Sequence, residues 1–149
     1  MVLLGVFCLA LLPACSHESD ADKIKDVIAD MAAGAEAKDI SRVKKHIAKE
    51  YKDPAGNDYD ALKGIMLFYF MQQDSINVFL RRQEVEVNSG RGHAAVRAVI
   101  SRGKKLGSVK DIVPEEAGGF VFDFTFDRRG GDWLLISATW RQVNVTEAL

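Results

Sequence analysis

The stretch Gly119-Phe120-Val121-Phe122-Asp123-Phe124-Thr125-Phe126-Asp127 places an aromatic ring at every second position. Because successive side chains of a β-strand point to opposite faces, the four phenylalanines share one face and Asp123 lies on the other. An antiparallel sheet with one such apolar face packs that face on the core. The stretch therefore predicts a strand with one buried side.

Strand-like patterns continue on both sides of this stretch. Apolar residues alternate from position 76 to 80, and Val85 and Val87 alternate in the opposite phase. A change of phase within one strand indicates a β-bulge, which we expect near Arg82 and Gln83. Turn-forming residues at 88 to 92 and 128 to 132 then separate the strands. The predicted meander has four antiparallel strands, at 76 to 87, 94 to 100, 120 to 126 and 133 to 143.

Helical spacing precedes the strands. Apolar residues at i, i+3 and i+4 predict a first helix over 22 to 37. Asp39 is a candidate N-cap for a second helix with the buried stripe Ile40, Val43 and Ile47, and Asp58 is one for an apolar third helix. The fold class is therefore α+β, with three N-terminal helices packed on one face of a curved antiparallel four-stranded sheet.

Composition limits the classes of partner. The chain has 149 residues, 48% hydrophobic and 28% charged, which is typical of one globular domain. Its 20 basic and 21 acidic side chains give a net charge of −1. Since long-range attraction to a polyanion needs an excess of positive charge, we expect no nucleic acid partner.

The N-terminal residues have the pattern of an export signal. Residues 2 to 12 form an apolar run broken only by Gly5, too short to cross ~30 Å of hydrocarbon and typical of a secretory signal. The following Leu12-Pro13-Ala14-Cys15 resembles the bacterial lipobox. That resemblance implies cleavage after residue 14, a lipid such as palmitate on Cys15, and a tether over 15 to 21. It also implies anchoring in the cell envelope, on the periplasmic face of the outer membrane of a Gram-negative cell.

The two cysteines, Cys8 and Cys15, are not expected to form a disulfide with each other. Cys15 could instead be a free thiol on a buried helix, but Pro13 and the polar residues 16 to 20 disfavour such a helix. Cys8 leaves with the signal. No intramolecular disulfide is therefore expected.

Three segments carry a resemblance to a known superfamily. They are Ala35-Glu36-Ala37-Lys38-Asp39, Glu50-Tyr51-Lys52-Asp53-Pro54-Ala55-Gly56, and the final hairpin from Gly131 to Trp140. In this order they resemble the nuclear transport factor 2-like proteins, whose cystatin-like cone fold includes ketosteroid isomerases and polyketide cyclases. The resemblance implies one such domain over 22 to 143, followed by a tail at 144 to 149. It also implies a pocket between the helices and the concave face of the sheet.

Aromatic residues are the candidates to line that pocket. Such a row of rings more often forms plain hydrophobic core than a ligand site. The expected ligand is a small apolar molecule. The candidate ligand-binding residues are Tyr51, Tyr69, Phe122, Phe124 and Trp140.

Asp53 is the candidate catalytic residue. Asp53-Pro54-Ala55-Gly56 resembles the segment that bears the general base of ketosteroid isomerases, and aromatic surroundings would raise the pKa of its carboxyl. Those enzymes also use a Tyr on the first helix to stabilise an oxyanion, but residues 22 to 37 contain no Tyr. The alternative is that Asp53 is a turn residue that accepts hydrogen bonds from nearby backbone N–H groups. The isolated His17, His46 and His93 predict no metal site, and no cofactor is expected.

Three functions remain open. The favoured one is a non-catalytic envelope lipoprotein that binds a small apolar ligand or another envelope protein. The second is an isomerase or dehydratase with Asp53 as base and Tyr51 or Tyr69 as polarising group. The third is a homodimer through the outer face of the sheet, expected because alternation places Trp140 with Leu134 and Ile136 on the side opposite Leu135.

Overall fold

A computed structural model describes residues 18–111 and 116–149, without the side chain of Val109. The signal over 1 to 14, Cys15 and His17 lie outside the described residues. Within the described ranges, no helix is both long enough and apolar enough to cross a membrane.

Three helices lead the domain, as the spacing predicts. They are α1 (Asp20–Glu36), α2 (Ile40–Lys44) and α3 (Tyr59–Gln72). The carboxylate of Asp39 accepts from the backbone N–H of the third residue of α2, and that of Asp58 accepts from two N–H groups in the first turn of α3. Both predicted N-caps are therefore confirmed, because each carboxylate satisfies donors that the helix itself leaves free.

The second helix is shorter than expected. It ends at Lys44, so Ile47 does not belong to its stripe. Ile47 instead forms a parallel bridge with Leu135, and the carbonyl of His46 accepts from the backbone N–H of Leu135. Pairing with the sheet thus replaces the last expected turn of the helix.

Four strands form one antiparallel sheet in chain order. Each pairs with its neighbour in sequence, which is the predicted meander. The strands are β1 (Ile76–Asn88), β2 (Arg91–Arg102), β3 (Ala117–Arg129) and β4 (Asp132–Val143). The segment expected as a tail contains a short helix, α4 (Val145–Ala148), which covers the outer face of β3 at Gly119. The α+β class with helices on a four-stranded antiparallel sheet is confirmed.

Two β-bulges set which side chains face the helices. Arg81 is the extra residue in β1, next to the expected position, and Ile136 is the extra residue in β4. A bulge reverses the alternation of the residues that follow it. Beyond Ile136, Trp140 therefore lies on the same face as Leu135. The expectation that Trp140 shares a side with Leu134 and Ile136 is wrong, because strict alternation does not hold across a bulge.

The concave face of the sheet carries the core. The rings of Phe120, Phe122, Phe124 and Phe126 follow one another along β3 with centroids 5.4 to 6.1 Å apart. Phe126 is fully buried, with Ile24 of α1 and Trp133 of β4 in the same cluster. The predicted aromatic row is thus the surface on which the helices pack.

Gly92 permits the closest contact of helix and sheet. A Cβ atom at this position would lie 2.3 Å from Cδ1 of Ile24. Since real Cβ atoms do not approach a neighbour so closely, the side chain of Ile24 occupies the space that a larger residue at this position would need.

An ionic cluster joins the first two helices. The carboxylate of Asp30 lies 2.6 Å from Nη2 of Arg42, 2.8 Å from Nζ of Lys45 and 2.7 Å from Nε2 of His46. Hydrogen bonds from Arg42, Lys45 and His46, in that order of importance, hold the pKa of Asp30 well below its usual range. The ionised carboxylate therefore stabilises the α1–α2 arrangement.

Asp30→Asn should lower the melting temperature at neutral pH. It should also make the melting temperature depend less on pH in the acid range. Because the pKa of Asp30 is depressed in the folded chain, its contribution is complete above the ordinary value of 3.8 and is lost as the pH falls below it. Thermal unfolding of the wild type and the variant should therefore converge in strong acid. Asp132→Asn, which changes an exposed residue, is the control. A constant difference at every pH would contradict this assignment.

Gly92→Ala should destabilise the domain, since the new methyl group would overlap Ile24. Overpacking of this kind costs about 1–3 kcal/mol. Urea unfolding measures the change, with Gly131→Ala as the control because a Cβ at Gly131 meets nothing within 4 Å. The double variant Gly92→Ala/Ile24→Val should recover part of the loss. No recovery would show that the contact with Ile24 is not the cause.

Candidate functional site

A cavity of about 270 Å³ lies between the helices and the concave face of the sheet. Its walls come from all three N-terminal helices, the segment after α2 and all four strands. Apart from the hydroxyl of Tyr51 and the indole N–H of Trp140, the side chains that line it are hydrocarbon or thioether. The lining residues are Ile28, Met31, Ala32, Ala35, Val43, Ile47, Tyr51, Leu62, Met66, Val78, Leu80, Val96, Ala98, Ile100, Phe122, Phe124, Leu135, Ala138 and Trp140.

Small side chains create the space. Ala98 and Ala138 stand on the concave face where larger residues would fill the gap beneath the helices, and Ala32 and Ala35 face them from α1. Protein interiors otherwise pack as densely as organic crystals. In the sequence, these small residues appear as alanines at positions of β2 and β4 that face the helices. Because the bulge at Ile136 interrupts the alternation of β4, the sequence pattern does not show that Ala138 is one of them.

Four of the five predicted ligand-binding residues line this cavity. They are Tyr51, Phe122, Phe124 and Trp140. Tyr69 is not among the lining residues, because its position on α3 turns it outward and leaves it 57% exposed. Leu62 and Met66 are the α3 residues that do face the cavity. Neither is among the candidate ligand-binding residues, because the continuous apolar run from 65 to 71 does not indicate which side of the helix faces inward.

Tyr51 supplies the hydroxyl group of the cavity wall. It is only 2% exposed, and its hydroxyl lies 3.4 Å from Oδ2 of Asp53. Burial, followed by the charge of Asp53 and the hydrogen bond to it, raises the pKa of Tyr51 far above its usual range. The hydroxyl therefore stays protonated and can only donate or accept a hydrogen bond as a neutral group.

Asp53 is held by its own turn. The backbone N–H and side-chain Nδ2 of Asn57 each donate to the carboxylate at 2.9 Å. Gly56 closes the turn at a φ of 89° and donates its N–H to the carbonyl of Asp53. That φ lies in the left-handed region, which favours glycine. The alternative reading of Asp53 as a turn residue is thus confirmed.

The surroundings of Asp53 do not raise its pKa. Burial acts to raise the pKa of this carboxyl, but hydrogen bonds from Asn57, Ala55 and Tyr51 together bring it below its ordinary value. The expected increase was wrong, because the polar atoms of the turn lie closer to the carboxylate than the aromatic rings do. Asp53 also does not line the cavity, but it accepts a hydrogen bond from Tyr51, which does.

The outer face of the sheet differs from the concave face. Asp123 is exposed there, as strand alternation predicts, and borders a depression with Glu84, Glu86, His93 and Thr125. Among residues 18–111 and 116–149, no three His, Cys, Asp or Glu side chains are placed to hold a metal ion. The chemistry available at the cavity is therefore apolar burial plus one neutral hydroxyl.

Comparison with solved structures shows which known proteins share this fold. No protein-family model matches the sequence. No curated protein matches it either. Solved structures do match: a proposed dehydratase of the NTF2-like family from Streptomyces avermitilis has a TM-score of 0.67 and 13% identity over 82% of this chain and 95% of its own. A protein from Nostoc punctiforme with a cystatin-like fold gives 0.66 and 10% over 83% and 90%.

A larger protein contains the same unit. A Bdellovibrio bacteriovorus structure matches with a TM-score of 0.67 and 12% identity over 80% of this chain, which covers only 40% of that protein. Such low identities establish a shared fold and leave activity undetermined. The described part of the chain is thus an α+β domain with the NTF2-like, cystatin-like cone fold.

Proposed function

We propose that the domain is non-catalytic and binds a small apolar molecule in its cavity, as part of a lipoprotein that Cys15 anchors in the cell envelope. The observation that supports ligand binding is the lining itself, which buries aromatic and aliphatic side chains around open space. Ligand sites are mostly concave, apolar and preformed, with few polar groups. This cavity has those properties.

The volume limits the ligand. Ligand pockets commonly measure about 300–1,000 Å³, so a cavity of about 270 Å³ suits a small ligand. A fused aromatic ring pair or a short hydrocarbon chain would fill the space. A longer chain would have to extend past Trp140, which is 48% exposed at the edge of the cavity.

The polarity of the walls limits the ligand further. A charged group in this cavity would lose its hydration without meeting an opposite charge among the lining side chains, which is costly. Because the hydroxyl of Tyr51 donates its one proton to Asp53, it can offer a ligand only an accepting lone pair. The ligand is therefore neutral inside the cavity, with at most one polar atom near Tyr51.

The anchor rests on the lipobox-like segment and on the position of α1. Two or three acyl chains hold a protein on a bilayer far more firmly than one. The helix begins at Asp20, five positions after Cys15, so the folded domain starts directly beyond a short tether. A domain placed in this way is suited to meet apolar molecules at a membrane surface.

A catalytic alternative has one observation in its favour. Tyr51 lines the cavity and donates its hydroxyl proton to Asp53, so a ligand beside Tyr51 would lie next to a group that contacts a carboxylate. An isomerase or dehydratase of the ketosteroid isomerase kind would need Asp53 to reach the substrate. We place this alternative second, because Asp53 lies behind Tyr51 and its pKa is lowered.

Ala98→Leu should weaken binding of naphthalene by roughly tenfold or more, because the added carbons occupy the cavity and protein cores resist overpacking. Equilibrium dialysis, read by naphthalene fluorescence, measures the affinity. Ala95→Leu is the matched control, since Ala95 is exposed on the opposite face of the same strand. Equal affinities in the two variants, or no binding by the wild type, would contradict the proposed cavity site.

Asp53→Asn separates binding from catalysis. On the favoured proposal, naphthalene affinity stays the same and neither protein accelerates deuterium exchange at the α-carbons of cyclohexanone, followed by NMR in D₂O. If Asp53 is instead a general base, the wild type should catalyse this exchange and the variant should lose about 10²–10⁴-fold of the rate. Asp123→Asn, on the outer face, is the control. Wild-type exchange that depends on Asp53 would establish the catalytic alternative.

A further inference from the structure

The outward side of α3 is an exposed apolar surface. Leu67, Phe68, Tyr69 and Met71 are 46%, 59%, 57% and 77% exposed, and they make up four of the seven large hydrophobic residues exposed in the described part of the chain. We call these four residues the α3 patch. Met71 follows Leu67 by four positions and Phe68 by three, and both spacings place side chains next to one another on a helix surface.

The α3 patch belongs to a helix that is fixed at both ends. Asp58 caps the first turn. At the other end the ammonium group of Lys38 donates to the backbone carbonyls of Gln73 and Asp74, directly after the last turn. The inward side of α3 packs Leu62 and Met66 against the core and the cavity. The exposure is therefore a property of the folded helix and does not come from a frayed end.

The surface is too small for a stable protein interface of its own. Specific protein complexes bury about 800 Å² on each partner, from roughly 20–30 residues a side. Four side chains fall well short of that. A surface already held nearby by another attachment needs much less area, because the second contact is then effectively intramolecular.

The chain before α1 supplies such an attachment, and here the inference rests on the proposed anchoring. Asp20 follows Cys15 by five positions, a reach of at most about 18 Å. The 17 residues of α1 span about 25 Å, and Lys38, just beyond its far end, contacts the end of α3. Since α1 and α3 lie on the same side of the sheet, a domain lying with its helices against a bilayer would bring the anchor and the α3 patch to the surface together.

We propose that the α3 patch docks on the lipid bilayer that holds the anchor. Leu67, Phe68 and Met71 enter the apolar boundary of the acyl chains, and Tyr69 lies at the edge, where amphipathic rings are favoured. Docking places the cavity, whose wall includes Leu62 and Met66 of the same helix, beside the membrane. The bilayer is then the source or the destination of the apolar ligand.

The test uses the full chain, processed by its bacterial host and reconstituted in phosphatidylcholine vesicles with or without bromine on the acyl chains. Bromine quenches tryptophan emission only at short range. In a Trp140→Phe background, Phe68→Trp puts the reporter in the α3 patch. Leu149→Trp is the matched control, since Leu149 is also 59% exposed but follows α4, on the outer face of the sheet. Trp133 is buried and contributes the same background to both.

After subtraction of the Trp133 background, measured with Trp140→Phe alone, the emission of the Phe68→Trp reporter should fall several-fold in brominated vesicles, and that of the Leu149→Trp reporter should not. Adding Met71→Asp, a charge in the patch at an exposed position, should remove most of the quenching while the protein stays on the vesicles. Equal quenching of the two reporters, none in either, or no bound protein would overturn the proposal. Light scattering that shows a dimer dependent on Phe68, with Phe68→Trp unquenched, would assign the patch to a second copy and overturn it too.

The intact mass of the same preparation separates this inference from the proposed anchoring. If Cys15 carries acyl chains but the reporter in the α3 patch is not quenched, the proposed anchor is supported and the docking is wrong. If the chain carries no acyl groups but still binds vesicles, and bromine quenches the Phe68→Trp reporter, the proposed anchor is wrong and the docking surface is supported. Naphthalene binding is measured independently of both.

Discussion

The fold depends on covering the concave face of the sheet. The phenylalanine row of β3 makes that face too apolar to leave in water, and burial of such rings is the largest favourable contribution that the segment can make to stability. α1 approaches β2 as closely as Gly92 allows, and Trp133 and Phe126 close the adjoining end of the core. The ionic cluster at Asp30 then keeps α2 beside α1, so that the cover over the sheet is a fixed pair of helices.

The cavity is the part of this face that the cover does not fill. The side chain of Ile24 packs closely on β2, but farther along α1 the lining includes Ala32 and Ala35, whose small side chains leave space above the sheet. Open space lined by hydrocarbon costs packing energy. A domain with a full-sized core tolerates that cost, and the space is then available to an apolar molecule. The turn at Asp53 stays outside it, with its carboxylate occupied by Asn57 and Tyr51.

The apolar side chains of α3 divide between two environments. Its inner side chains complete the cavity wall, and its outer ones contact nothing in the described residues that would remove them from water. A helix that is hydrophobic all round is usually buried on all sides. No described residue covers these outer side chains, and the proposed membrane contact would cover them, so the helix would join the proposed ligand site to that contact.

Local periodicity and local hydrogen bonding were enough to predict the order of the elements, the caps at Asp39 and Asp58, the aromatic row of β3 and the bulge in β1. The sequence also identified Tyr51, Phe122, Phe124 and Trp140 as candidates for the cavity wall. The direction in which Trp140 and Tyr69 face, and the hydrogen bonds around Asp53, depend on contacts that form only in the folded chain. One extra residue at Ile136 reverses an entire strand end, and a continuous apolar helix carries no periodicity to orient it. The pKa of a carboxylate depends on which atoms the folded turn brings within hydrogen-bonding distance.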